Sequence, residues 1–260
     1  MSHFSSVDAS PDPDALVAYL DATAAGLTAM KHYVAAAAHR AVGTGLVVDV
    51  GCGAGHDLEL LGRAGVEPAG VDPSASMLDA ARSRARRCGL PIRLVRATAE
   101  AIPFRSGGVD GCRVERVVQH VADPGRVFSE LARIVRGGGF LAAFEPDWQS
   151  LRFGRGDVGA DDGAVARAIV RARQPGAGRQ LERLAEDHQF LVDDRVSEVS
   201  FGRRIDDFPI PLERAVRRAV ADGRLDGQTA VRWLAHQRAL DRAGRFEASW
   251  TKVLVVATRR

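Results

Sequence analysis

The stretch LVVDVGCGAGHD, residues 46–57, constrains this chain more than any other. An apolar run of strand length enters a loop with glycine at 51, 53 and 55, then leaves into a helical pattern. Glycine has no Cβ, so such a loop can turn tightly and let a ligand approach the backbone. The helix behind it would aim free N–H groups at an anionic or polar group. The dinucleotide fingerprint G-x-G-x-x-G needs a glycine at position 56, which is His56 here. A Walker A loop needs G-x-x-x-x-G-K-[ST], and that pattern is absent. The spacing G-x-G-x-G therefore weakens both readings.

From residue 46 onward short apolar runs alternate with helical patterns. Strands are expected at 46–50, 68–71, 92–95, 109–114 and 139–144, with helices at 55–64, 74–88 and 124–135. This alternation predicts an α/β fold with a doubly wound, mostly parallel sheet whose ligand sits beyond the carboxyl ends of the strands. Residues 1–13 read as a disordered tail, and 14–41 as one or two N-terminal helices. A single domain would then span 14–260, with its ligand-binding core at 46–148 and helical insertions at about 150–178 and 208–243 placed as a lid. Between and after the insertions, 179–190 reads as a helix, 196–205 as a strand, 211–222 and 227–242 as helices, and 248–259 as the last strand.

Bulk properties remove several alternatives. The 260 residues, 46% hydrophobic, suffice for a sizeable core. No apolar run reaches the roughly 20 residues of a membrane span, and the polar, acidic N-terminus resembles no signal peptide, so a cytoplasmic protein is expected. Cys52, Cys88 and Cys112 are odd in number and far apart, which fits reduced thiols better than a disulfide framework or a zinc site. The formal charge of +3 comes from basic residues interleaved with acids, so no nucleic-acid patch is expected. Only Lys31 and Lys252 are lysines; the preference for arginine reads as compositional bias.

Asp72 closes the second strand in VDPSASML. A carboxylate at a strand tip can accept two hydrogen bonds from a ribose diol. Ser74, rather than Asp72, is the better N-cap for the helix that follows.

With VVDVGCGAG, VDPSASML, ATAEAIPF, GGVDGCRVERVVQHVADP and LARIVRGGGFLAAFEP in order, the chain resembles the class I S-adenosylmethionine (SAM)-dependent methyltransferases. The likeness is to the small-molecule group that includes ubiquinone and menaquinone C-methyltransferases, and it is strong over about 28–150. The resemblance implies a seven-stranded Rossmann-like sheet, with SAM as cofactor and S-adenosylhomocysteine (SAH) as product. It implies that Gly51, Gly53 and Gly55 surround the amino-acid part of SAM and that Asp49 orients the loop or the amino group. Asp72 would hold the ribose, with Pro73 and Met77 nearby, and Thr98 and Ala99 would flank the adenine. Glu115 and Arg116 would line the methyl-donor side, and Lys31 would meet the SAM carboxylate. Relatives usually carry an acid where this chain has Thr98, and a neutral hydroxyl is the weaker acceptor.

Methyl transfer needs alignment, exclusion of water and sometimes removal of a proton. His120 is the first candidate for that base and Glu115 the second, and no metal-ligand cluster is visible. Tyr19, Tyr33, Glu145, Asp147, Trp148 and His236 are candidates for contact with a small-molecule acceptor. The expected function is methyl transfer to a small molecule, such as a secondary metabolite or quinone-like compound. The alternative is a methyltransferase-fold protein repurposed as a non-methylating enzyme, for example a cyclase of natural-product biosynthesis. The oligomeric state stays open between monomer and homodimer.

Overall fold

The computed structural model describes Asp8, residues 28–154 and residues 161–260. Helix α1 (Thr28–Val42) precedes β1 (Leu46–Val50), α2 (His56–Arg63), β2 (Glu67–Asp72), α3 (Ala75–Cys88) and β3 (Arg93–Arg96). After β4 (Val109–Glu115), a 3-10 turn (Val118–His120) leads to α4 (Pro124–Ile134) and β5 (Val135–Phe153). The chain continues through α5 (Asp162–Ile169), α6 (Ala177–Asp187) and β6 (Phe190–Gly202). It ends with α7 (Leu212–Ala221), α8 (Gly227–Arg242) and β7 (Ala248–Arg259).

The seven strands form one sheet in the order β3-β2-β1-β4-β5-β7-β6. β1 pairs in parallel with β2 and β4, whereas β7 runs antiparallel to both β5 and β6. The strand order reverses between β1 and β4, which opens a crevice at their carboxyl ends. The doubly wound, mostly parallel sheet expected from the alternation is therefore present.

Local chemistry explains the boundaries. Ser74 accepts from Met77 N at 3.2 Å and caps α3, while Gly89 ends it at φ 66°. Asp123 caps α4, with Pro124 at its first position. Strand β5 extends well beyond the expected 139–144, because the long antiparallel β7 offers it a partner as far as Phe153. Strand β6 begins at Phe190 rather than 196. Its first half, LVDDR, shows no alternation of apolar residues because β6 is the sheet edge and most of it faces solvent.

Three apolar clusters hold the layers together. Val48, Val71, Val114 and Ala143 pack against Phe128 and Leu131 of α4 and Leu181 of α6 on one face. On the other face, Val47, Phe140 and Phe144 meet Val34 and Ala38 of α1 and Leu61 of α2. The third cluster lies beyond the carboxyl end of β5, where Phe153 packs among Val165 of α5, Val216 of α7 and Trp233 of α8. This helical cap is continuous with β5 and the start of β7. No helix among the described residues is long and apolar enough to cross a membrane.

Candidate functional site

The glycine loop after β1 has the backbone its composition demands. Gly51, Gly53 and Gly55 lie at φ 75°, 50° and 79°, in the left-handed region. A Cβ on Gly51 would run into Val117 Cγ2, and one on Gly55 would stand 3.0 Å from Ala81 Cβ of α3. Arg84 of α3 donates to Ala54 O at 3.1 Å and secures the far side of the loop. At the tip of β2, Asp72 Oδ2 accepts from Gly53 N and Oδ1 from Ser74 N, both at 2.9 Å. A carboxylate oxygen can accept twice, so both keep capacity for a further donor. Burial raises the Asp72 pKa above its ordinary value.

Around Asp72, Met77 is buried, Ala99 is buried beneath the end of β3, and Pro73 and Thr98 are exposed. Asp8 also lies here. It accepts from Ser74 Oγ at 2.6 Å, Ser76 Oγ at 2.9 Å, Ala75 N at 3.0 Å and Arg96 at 3.2 Å. Those bonds, with Ser74 first, hold its carboxyl well below the usual range.

On the α1 face of the strand ends, three carboxylates share two buried cations. Lys31 Nζ lies 2.8 and 2.6 Å from the Asp57 oxygens and 3.2 Å from Glu115. Arg113 reaches Asp49 at 2.8 Å and Asp57 at 3.0 Å, and also bonds Glu115. Arg116, at φ 55°, adds a third cation 3.3 Å from Glu115. Burial pushes Asp57 up, but Arg113 and Lys31 outweigh it and hold its pKa below the ordinary value. For Asp49 burial wins over Arg113, and its pKa rises to about 7. Asp49 Oδ2 is buried with no hydrogen-bond partner among the described residues.

Glu115 is thereby surrounded by Lys31, Arg113 and Arg116 and serves as counter-ion to all three. Lys31, which the resemblance sets against the SAM carboxylate, bonds Asp57 and Glu115. Both side chains tie α1 and β4 to the glycine loop through the first turn of α2.

The opposite face of the same strand ends is different. Glu145 of β5 is fully buried, and its Oε1 accepts from Val118 N at 2.6 Å. Its Oε2 has no partner among the described residues. Burial outweighs the N–H groups of Val118, Val117 and Gln119 and pushes its pKa up to about 8. Glu145 thus sits as a neutral acid beneath the 3-10 turn that carries His120. Burial and then the charge of Arg116 lower the His120 pKa to about 4, so the imidazole is neutral at physiological pH.

The remaining acceptor candidates separate. Trp148 Nε1 donates to Gln119 Oε1 at 2.7 Å, beside the His120 turn. Asp147 accepts from Arg179 at 2.9 and 2.7 Å, which ties it to α6. Tyr33 donates to Asp194 on the edge strand at 2.6 Å, away from the strand ends, because α1 presents it to β6. His236 is exposed on α8, while Trp233, one turn before it, is buried and donates to Asp162 at 2.6 Å. Tyr19 lies outside the described residues.

The sequence reading missed Arg113, Asp57, Asp8 and Gln174. Arg113 had a usable signal: a charge inside the apolar strand VDGCRVE needs a partner once buried. Gln174 N donates to Gln119 O at 3.1 Å, and its side chain reaches Ala122 O at 3.3 Å, binding the cap to the His120 turn. Nothing in the local sequence around Asp8 or Gln174 signals those contacts. Among the described residues no group of three or more His, Cys, Asp or Glu could hold a metal ion.

Residues 48–143 match the family described as a methyltransferase domain. An uncharacterised 37.1 kDa protein in transposon TN4556 of Streptomyces fradiae is 37% identical over 223 residues, covering 81% of this chain and 61% of the relative. A ubiquinone biosynthesis O-methyltransferase of Nitrobacter winogradskyi is 36% identical over 110 residues, 42% of each chain. The chain therefore spans less than two thirds of either relative. The solved YcgJ protein of Bacillus subtilis superposes with a TM-score of 0.64 at 17% identity, covering 89% of this chain and 98% of that one.

Proposed function

We propose, from the methyltransferase-domain match over residues 48–143, that this chain transfers a methyl group from SAM to a small-molecule acceptor. The observation that carries the reading is the strand-end cradle. A buried Asp49 oxygen without a partner adjoins a loop of three left-handed glycines, one of which has no room for a Cβ. An ammonium group is the natural partner for that oxygen, and the loop backbone suits the amino-acid part of the cofactor. The spare acceptor capacity of Asp72 suits the ribose hydroxyls, and buried Met77 and Ala99 form an apolar floor for the adenine beside the Thr98 hydroxyl.

When bound, SAM supplies a methyl group activated by its sulfonium. The chain supplies the alignment. Arg113, Lys31 and their three carboxylates hold the donor loop against β4 without exposing a charge to the acceptor side. His120, on the turn beside Trp148, is the side chain placed to take a proton where the acceptor must lose one, and its pKa of about 4 leaves it unprotonated but only weakly basic. Trp148 and the cap helices cover the acceptor and exclude water.

The test is calorimetric titration of the protein with SAH beside a Gly53→Arg variant, followed by transfer of label from methyl-labelled SAM to candidate metabolites. Binding to the native chain that the variant loses supports the reading. Failure of the native chain to bind SAH sinks it. Turnover of a metabolite without label transfer, surviving in the variant, would establish a non-methylating enzyme on this fold.

A further inference from the structure

Asp8 stands 66 residues ahead of Ser74, yet its carboxylate closes the turn at the tip of β2. Its Oδ1 accepts from Ser74 Oγ at 2.6 Å, Ser76 Oγ at 2.9 Å and Ser76 N at 3.3 Å. Its Oδ2 accepts from Ala75 N at 3.0 Å and from Arg96 at 3.2 Å. The bonds to Ala75 N and Ser76 N satisfy open donors of the first turn of α3, as a helix cap would. That helix already has its own cap, because Ser74 Oγ accepts from Met77 N at 3.2 Å.

Capping does not account for Arg96, which belongs to β3 rather than to the helix. Arg96 lies opposite Asp72 in the register of β2 and β3. Its Nε donates to Pro73 O at 2.9 Å, while its other arm holds Asp8. Ser74 N in turn donates to Asp72 Oδ1 at 2.9 Å, which makes an Asx turn across Pro73. A serine hydroxyl has one hydrogen, and that of Ser74 goes to Asp8. Asp8 thus fixes the Ser74 hydroxyl and, through Arg96, the Pro73 carbonyl. Both residues lie in the turn that aims the Asp72 carboxylate. Gly53 N holds the other Asp72 oxygen from the glycine loop at 2.9 Å. Burial raises the Asp72 pKa, and the neighbouring Asp8 charge adds to the rise. Repulsion between two carboxylates weighs against the pair, and a neutral serine or asparagine caps a helix without it.

We propose that Asp8 is a positioning residue of the donor site, setting through Ser74 and Pro73 the orientation in which Asp72 meets the ribose hydroxyls of SAM or SAH. The identity of that ligand rests on the methyl-transfer reading. Asp8 itself touches no part of the cofactor in this role. Its effect on binding passes through Asp72, so it depends on the hydroxyls that Asp72 holds.

The test is calorimetric titration of the full chain with SAH and with its 2′-deoxyribose analogue, alongside thermal midpoints without ligand. Asp8→Ala should weaken SAH binding about tenfold and bind the analogue with a smaller loss, so that discrimination between the two ligands falls. Asp8→Asn keeps an acceptor oxygen for Ser74 and should recover part of the SAH affinity. Asp226→Ala removes the cap of α8, where Asp226 accepts from Thr229 N at 2.8 Å. That variant should lower the midpoint and leave SAH affinity at the native value. Native SAH affinity in a folded Asp8→Ala overturns the proposal, since Asp8 is then a helix cap alone. So does equal weakening of SAH and its analogue, or a matching loss in Asp226→Ala. Each of those results leaves the methyl-transfer reading standing. A native chain that binds no SAH overturns that reading, and the role of Asp8 falls with it.

Discussion

The two faces of the sheet treat their buried acids in opposite ways at the same strand ends. On the α1 face, Asp49, Asp57 and Glu115 are gathered around Lys31 and Arg113 in a dense ionic lattice. On the α4 and α6 face, Glu145 lies a residue beyond Phe144 yet among the described residues meets no cation within bonding distance, only backbone N–H groups. Successive residues of a strand point to opposite faces, so a single step along β5 moves from one regime to the other. The difference teaches how the site is divided. The ionic face is a rigid mount for the glycine loop, where any unpaired charge would be expensive. On the neutral face Glu145 fixes the turn that carries His120.

Removing the central cation should break the comparison most severely. Arg113→Met leaves buried Asp49 without its cation and leaves Asp57 and Glu115 to Lys31, and a loss of about 3–5 kcal/mol in urea unfolding is expected. A loss below about 1 kcal/mol would mean that the lattice does not hold the fold as described. A Gly51→Ala variant attacks the loop between the two faces. Its left-handed backbone and the approach of Val117 should cost about 1–3 kcal/mol, and SAH affinity should fall about tenfold or more. Unchanged SAH affinity in a folded variant would remove the loop from the donor site.

Glu145→Gln sharpens the comparison through pH. The Glu145 pKa is raised from 4.5 to about 8 in the folded chain, so its contribution to stability is fully present below about pH 4.5 and is lost as the pH rises towards about 8. The amide accepts the same bond from Val118 N but does not titrate. The thermal midpoint of the variant should therefore gain on the native chain between pH 5 and 8 and track it above that. A constant difference across this range would show that Glu145 is ionised like Asp57 on the other face. Smallest of all, His236→Ala should change stability by no more than about 0.5 kcal/mol and leave SAH binding intact, since the ring faces solvent.

Much of the donor half was legible because its chemistry is local. Asp72 stands at a strand tip, and Ser74, not Asp72, caps α3, as three consecutive residues imply. The boundaries of α8 and β7 follow from their patterns alone. The acceptor half was less legible. Tyr33 and His236 had suitable chemistry, but the rotation of each helix turned them to the edge strand and to solvent. Arg171 and Arg224 read as interleaved, compositional arginines because Arg171 lies far along the chain from Asp222, the acid that both reach.

The sequence by itself determined the strand–loop–helix units, the glycine backbone and the carboxylate at the tip of β2. These depend on steric freedom, periodicity and capping within a few residues. Tertiary structure alone decided which acids would be ionised. It paired Lys31 with Asp57 and Glu115, enclosed Glu145 without a cation, and assembled the cap arginines around Asp222. Charge state depends on burial and on neighbours remote in the chain, and only the packed sheet brings those neighbours together.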